Sequence, residues 1–126
     1  MISVVEVLAL HDRVVEKTGG SQGIGDEGGL LSAIGRPFQT FDGEDLYPTP
    51  FEKAVALLES VCNDHPFVDG NKRTALIAAA YLLHEYDINI VVPTVEGEQF
   101  MLLVAQHSPG VPAIAQQLER WVDQTA

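Results

Sequence analysis

The sequence predicts an all-α fold, one orthogonal bundle of helices, and three observations predict it. Apolar residues recur at spacings of three and four along most of the chain. Two helix starts carry capping boxes, Ser3 with Glu6 and Thr49 with Glu52. No two convincing strand runs stand where they would pair with each other. The 126 residues make one domain, 1–126. A chain of this length buries roughly two thirds of its unfolded surface without metal or disulfide staples. With 46% apolar residues, disorder is excluded.

The first helix is expected from Val4 to Lys17, with Val4, Val5, Leu8 and Val15 on its apolar stripe and Thr18-Gly19-Gly20 as its stop. A loop from Ser21 to Gly29 holds four of the eleven glycines, and a short helix follows over Leu30 to Gly35 before Pro37. Arg36 to Pro48 reads as a mobile flap or a small hairpin, because Asp42-Gly43 is a turn dipeptide. Thr49-Pro50 opens a helix to about Asn63, with Val55, Leu58 and Cys62 inward. His65 to Gly70 is a loop, extended before Pro66. Asn71 to Tyr86 is apolar all round over Thr74 to Leu83 and reads as the central buried helix. Asp87 to Pro93 is a short extended stretch. Thr94 is expected to cap a helix to Gln106, Ser108 to Pro112 is a break, and the last helix covers Ala113 to Val122.

Charge narrows the function. Eighteen acidic residues face seven basic ones, a net charge of −11. Nucleic-acid backbones require clustered cations, and only Lys72 and Arg73 are adjacent here, so no direct nucleic-acid partner is expected. The single cysteine, Cys62, excludes a disulfide framework and any multi-thiolate zinc site. The run from Thr74 to Leu83 is about half of a membrane span, so no membrane partner is expected. Met1 to Leu10 shows no basic leader followed by a long apolar stretch, which makes a reduced, cytoplasmic protein the expectation.

The chemistry concentrates in His65-Pro66-Phe67-Val68-Asp69-Gly70-Asn71-Lys72-Arg73-Thr74, between two helices. At the head of the second helix, free backbone N–H groups and the positive end of the dipole favour phosphate. Gly70 lets backbone approach a ligand, and Lys72 and Arg73 add charge, the guanidinium in a fork suited to phosphate oxygens. Asp69 is a hard oxygen ligand for Mg2+. His65 titrates near neutral pH and can take a proton from a hydroxyl. Singly, each has a plainer reading: His65 as a cap or surface residue, Asp69 as an N-cap or Asx-turn residue, Lys72-Arg73 as a solvated pair. Phe67 is core under either reading. The joint presence of all of them within nine residues favours a site.

Elsewhere the candidates are weaker. His11-Asp12 on the first helix reads as a packed or capping pair. His84 and His107 have no partners at metal spacing, and His65 with Asp69 lacks the third ligand of a zinc site. Cys62 reads as core. Asp42, Glu44 and Asp45 form a solvated acidic face or a surface for a basic partner.

The stretch from His65 to Arg73 resembles the signature loop of the Fic/Doc (Fido) superfamily, His-x-Phe-x-Asp/Glu-Gly-Asn-Gly-Arg-x-x-Arg, and Asn71-Lys72-Arg73-Thr74-Ala75 is similar to its Doc, or death-on-curing, branch. Leu10-His11-Asp12, Gly19-Gly20, Gly23-Ile24 and Leu30 to Pro37 resemble the N-terminal half of that branch. The resemblance implies a helical bundle with the loop and the helix after it at the centre, His65 as general base, Asp69 as the Mg2+ ligand, Gly70, Asn71, Lys72 and Arg73 around the phosphates of ATP, and Phe67 as anchor. It places a target-docking flap over Arg36 to Pro48.

Departures from the pattern bear on the reaction. Most Fic enzymes transfer AMP to a protein hydroxyl, with glycine where this chain has Lys72 and a second arginine where it has Leu76. The glycine leaves room for phosphates and the arginine grips the terminal one. The Doc branch instead implies a reversed nucleotide that phosphorylates a threonine, with elongation factor Tu as the implied target and translation as the process blocked. Neither Glu27 nor Glu96 fits the self-inhibiting Ser/Thr-x-x-x-Glu pattern, so inhibition is expected from a cognate antitoxin. AMP transfer is the alternative, and a catalytically dead protein-binding module is the second alternative.

Overall fold

The structure, a computed structural model, describes residues 2–107 and 109–124. In chain order its helices are α1 (Val4–Thr18), α2 (Glu27–Gly35), α3 (Pro50–Asp64), α4 (Asn71–Glu85), α5 (Thr94–Ala105) and α6 (Val111–Arg120). A 3-10 turn, Arg36–Phe38, leads into a hairpin of β1 (Thr40–Phe41) and β2 (Glu44–Asp45). The predominantly helical architecture agrees with the all-α expectation, and the segment read as flap or hairpin is a hairpin turning at Asp42-Gly43.

Local chemistry starts the helices. Ser3 accepts from the Glu6 N–H while Glu6 accepts from the Ser3 N–H, a complete capping box on α1. At α3 the Thr49 hydroxyl accepts from the Glu52 N–H and donates to Glu52 Oε1 at 2.9 Å, so there the reciprocal bond runs between side chains. α2 begins three residues before the expected Leu30. Asp26 is its cap and accepts from the Gly29 N–H, and a Cβ on Gly29 would stand 2.7 Å from that carboxylate. The glycines that read as loop are what the cap requires. α5 begins at Thr94 with Pro93 as its cap residue, so Thr94 is the first helical residue and does not cap. α6 begins at Val111, two residues earlier than expected, with proline early in its first turn. Ser108, the head of the expected break, lies outside the described residues.

α4 sits between α3, α1 and α5. Its small residues Ala75, Ala78 and Ala79 join a core whose bulk comes from Leu57, Leu58 and Val61 of α3 and Leu82 and Leu83 of α4, all fully buried. The helix is central, but it is not buried all round: Ile77 is 41% exposed and Arg73 reaches solvent. This corrects the reading of an apolar run as a wholly enclosed helix. Cys62 is fully buried, and burial pushes its thiol up, partly offset by Lys72.

The ends of the bundle are stitched by irregular chain. Val91 donates to the Trp121 carbonyl at 2.7 Å, and Asp123 donates to that of Asn89 at 2.8 Å. Buried Lys53 reaches Asp45 at 3.2 Å and the Tyr47 carbonyl, fixing the hairpin's second strand to α3. Asp45 is thus an ion-pair partner rather than part of a merely solvated acidic face. Among the described residues no helix is long and apolar enough to cross a membrane.

Candidate functional site

The segment from His65 to Gly70 joins α3 to α4 and is braced from three sides. The first brace is the glycine-rich chain after α1. Gly25 and Asp26 both donate to the Pro66 carbonyl, at 2.8 and 3.0 Å, and Val68 donates to that of Gly23 at 3.2 Å. The second is Asn71, whose side-chain amide mimics a strand partner. Its Oδ1 accepts from the Phe67 N–H and its Nδ2 donates to the Phe67 carbonyl, both at 3.0 Å. The third is His11 of α1. Its ring is 2% exposed, stacks on Phe67 with centroids 3.8 Å apart and planes 8° from parallel, and lies 2.7 Å from the Asp69 carbonyl through Nε2. A carbonyl only accepts, so Nε2 carries the proton. Phe67, itself 2% exposed, is thus the anchor expected of it.

Gly70 has a structural need of its own. It caps α4 at φ 80°, where side chains are strained, and a Cβ there would meet Val14 at 3.3 Å. Lacking a side chain, it offers α4 no cap bond. The first intrahelical bond runs from the Thr74 N–H to the Gly70 carbonyl, which leaves the N–H groups of residues 71–73 with no acceptor inside the helix. The mouth of α4 is therefore an uncapped positive helix end. Gly70, Asn71, Lys72 and Arg73 line an open concavity of about 260 Å3 there, with Thr18 opposite. Asn71 spends its amide on the loop, so its own contribution to an anion is the backbone N–H.

The other two candidate residues are not among those that line this concavity. His65 is exposed and sits at φ 48°, ψ 55°, closing α3 in the left-handed region. Histidine tolerates that region better than most residues, yet glycine would hold it at about 1 kcal/mol less strain. An imidazole at this position calls for a reason other than helix termination. Asp69 is exposed, and its Oδ2 accepts from the Ser21 N–H at 3.0 Å. One carboxylate, hard and solvent-facing, suits Mg2+ shared with phosphates, since that ion takes one or two carboxylates and keeps its waters. Among the described residues no cluster of three or more His, Cys, Asp or Glu could hold a metal unaided.

Arg73 is paired with Glu98 of α5 at 3.5 Å, both more than half exposed. Such a pair is worth about 0–1 kcal/mol, so a phosphate would displace it readily. Fully buried Thr74 carries a hydroxyl with no partner.

His11 and Ser21 are what sequence reasoning missed as parts of the site. The signal for His11 lay in its place on the buried stripe of α1, where an imidazole needs a polar partner across the core. Nothing local marked Ser21, which acts through its backbone. Of the weaker candidates, His84 lies 2.6 Å from Asn89 Oδ1 through Nδ1, and His11 Nδ1 stands 4.0 Å from Asp12, so His11 is packed as expected but bonds the loop rather than its neighbour Asp12.

Comparison with known proteins bears on the same residues. The sequence profile of the Fic/DOC family matches residues 1–83, which include the braced loop and most of α4. A protein called Toxin Doc from Mycolicibacterium smegmatis is 48% identical over 66 residues, 52% of this chain and 51% of that protein. One called Protein kinase doc from Escherichia phage P1 is 34% identical over 89 residues, 71% of this chain and 70% of its own length. The matched stretch thus spans about half the length of the first relative.

Proposed function

This chain belongs to the Fic/DOC family, and from that premise we propose that it is the toxin of a toxin–antitoxin module that phosphorylates a threonine of a translation factor, elongation factor Tu being the target the resemblance implies. The relatives named as a toxin and as a protein kinase support the reading. The observation that carries it is the open, uncapped mouth of α4 with Lys72 and Arg73 at its rim and an exposed imidazole at the other end of a braced loop.

In this reading the terminal phosphate of ATP meets the N–H groups of residues 71–73 and the two cations. Mg2+, held by Asp69 and the phosphates, would neutralise charge on the phosphates. His65 accepts the proton of the threonine hydroxyl as its oxygen bonds the γ-phosphorus. The bond from that phosphorus to the bridging oxygen breaks, and ADP departs. Positioning and charge do most of such work, which is why a loop fixed on three sides suits it. Lys72 and Leu76, where AMP-transferring relatives of this pattern carry glycine and arginine, favour phosphate transfer over AMP transfer. The antitoxin is the proposed inhibitor.

The test incubates the chain with purified elongation factor Tu and Mg-ATP and weighs the target by mass spectrometry. A phosphate on a threonine is expected, with His65→Ala slowing its appearance by about 10²–10⁴-fold. An adenylate instead would establish AMP transfer. Toxicity in cells that survives His65→Ala would leave only the binding-module reading.

A further inference from the structure

Arg36 makes four hydrogen bonds where the chain runs into the β1–β2 hairpin. Its Nε donates to the Tyr47 hydroxyl at 3.0 Å, Nη1 to the Ser60 hydroxyl at 3.0 Å and the Ala56 carbonyl at 3.3 Å, and Nη2 to Glu59 at 3.2 Å. The guanidinium carbon also lies 5.4 Å from the centroid of the Tyr47 ring. Tyr47 stands where the chain leaves the hairpin, so one side chain ties both ends of the hairpin to α3. Resting on the protein-phosphorylation reading above, we infer that Arg36 is a positioning residue for the protein substrate: it fixes the pose of the hairpin relative to His65 and touches neither the nucleotide nor the reacting hydroxyl.

What the clamp holds has no use to the core. Residues 39–46 are all exposed, Phe41 at 74% and Leu46 at 48%. A hairpin with two residues in each strand is marginal by itself, and ordering this one costs chain entropy that no buried side chain of its own repays. It is held nonetheless, at its stem by Arg36 and at its second strand by Lys53, a cation only 6% exposed. A carbonyl, two hydroxyls and a carboxylate spent on Arg36 therefore serve the position of an exposed apolar residue. A solvent-facing phenylalanine held in place suits a partner that buries it, and ordering it beforehand lowers the cost of that contact.

What the clamp stands on is the helix that carries the proposed base. Ala56, Glu59 and Ser60 share one face of α3 at spacings of three and four, and the helix is fixed by fully buried Leu57, Leu58 and Val61. His65 closes the same helix five residues after Ser60, about 8 Å along its axis. The hairpin and the imidazole thus share one rigid support, and a target resting on Phe41 meets the imidazole at a set distance. None of residues 36–48 lines the concavity at the mouth of α4, so the phosphates do not depend on the clamp.

Steady-state phosphorylation of elongation factor Tu tests this, with the protein and Mg-ATP varied in turn for wild type, Arg36→Met, Phe41→Ala and the double variant. Arg36→Met keeps an apolar stem and removes every donor. It is expected to raise KM for the protein about tenfold, while kcat and KM for Mg-ATP stay within about twofold. The unchanged ATP value also certifies the fold. Phe41→Ala, which cuts an exposed ring, is expected to raise the protein KM by a similar factor. Because the clamp acts through the hairpin, adding Arg36→Met to Phe41→Ala is expected to raise it by less than about twofold more. Should Arg36→Met not fold, Tyr47→Phe removes one acceptor, keeps the ring, and is expected to raise the protein KM about threefold in the same comparison. A fall in kcat with both KM values unchanged marks a structural role and overturns the inference. So does an unchanged protein KM, or a double variant in which the two single effects multiply. Those results leave the phosphoryl-transfer reading standing, whereas a wild type that leaves elongation factor Tu unmodified overturns that reading and this inference together.

Discussion

An imidazole 2% exposed, face to face with one loop residue and bonded to the carbonyl of another, holds two things at once. The stack fixes where Phe67 enters the core. The hydrogen bond fixes the peptide after Asp69, and with it the carboxylate whose Oδ2 is steadied by Ser21. His11→Phe keeps a flat ring for the stack and removes the donor. The Asp69 carbonyl then loses its partner at a cost of about 1 kcal/mol. The expected outcome is a melting temperature lower by roughly 3–6 °C, and a higher Mg2+ concentration for half-maximal ATP binding. His11→Gln, which retains an N–H donor, is expected to recover part of both. A His11→Phe variant with the wild-type melting point and Mg2+ requirement would show that the bond is idle. Asp69 is the informative readout because a purely structural role for His11 would lower the melting point without moving the metal titration.

Helix α1, tied to the loop through His11, is tied to α4 itself by the Tyr81 hydroxyl donating to Glu6. That bond, with the one from Ser3, holds the Glu6 carboxyl below its ordinary 4.5, and accepting charge opposite it pushes Tyr81 up from 10.0. The signs follow. Glu6 is depressed in the fold, so its contribution is present above the unfolded value of 4.5 and is lost as pH falls through the lower folded one. Tyr81 is raised, so its contribution is present below 10.0 and is lost as pH rises through the higher folded value. Tyr81→Phe should therefore lower the urea midpoint at about pH 7 and flatten its fall between about pH 5 and pH 3 relative to wild type. Parallel acid limbs in the two proteins would mean that the bond carries no linkage. The sequence shows Glu6 as half of a capping box and Tyr81 as part of an apolar run, and nothing in either pattern pairs residues 75 apart. The same limit explains the other misses. Periodicity and caps located the helices because those signals are local, and the loop from His65 to Arg73 was legible because its chemistry is contiguous. The splint from Gly20 to Asp26 was not, since it acts through backbone groups that every residue shares. Nor was the open side of α4, because an apolar residue facing a groove reads the same in sequence as one facing a core.

The net charge of −11 sets a field that opposes the site within it. Two cations at the mouth of α4 attract a nucleotide at contact, but Glu98 and Asp69 stand beside them, and at longer range the chain as a whole repels any polyphosphate. The two influences are screened unequally. At 0.01 M salt the Debye length is about 30 Å, so an approaching anion feels most of the molecule; at 0.15 M it is about 8 Å, and the distant carboxylates fade while groups in contact with the phosphate persist. Added salt should therefore help a nucleotide reach this site, the reverse of its effect on proteins whose overall charge is basic. The association rate of Mg-ATP, followed by stopped flow, is expected to rise severalfold between about 0.01 and 0.15 M KCl. Dissociation should change less, because it breaks short contacts that remain partly desolvated. A rate that falls across this range would show that Lys72 and Arg73 dominate the field out to the distance of capture. The same experiment with Lys72→Gln separates the terms: loss of one of the two local cations should steepen the rise with salt, since Arg73 alone then offsets the repulsive field that salt screens.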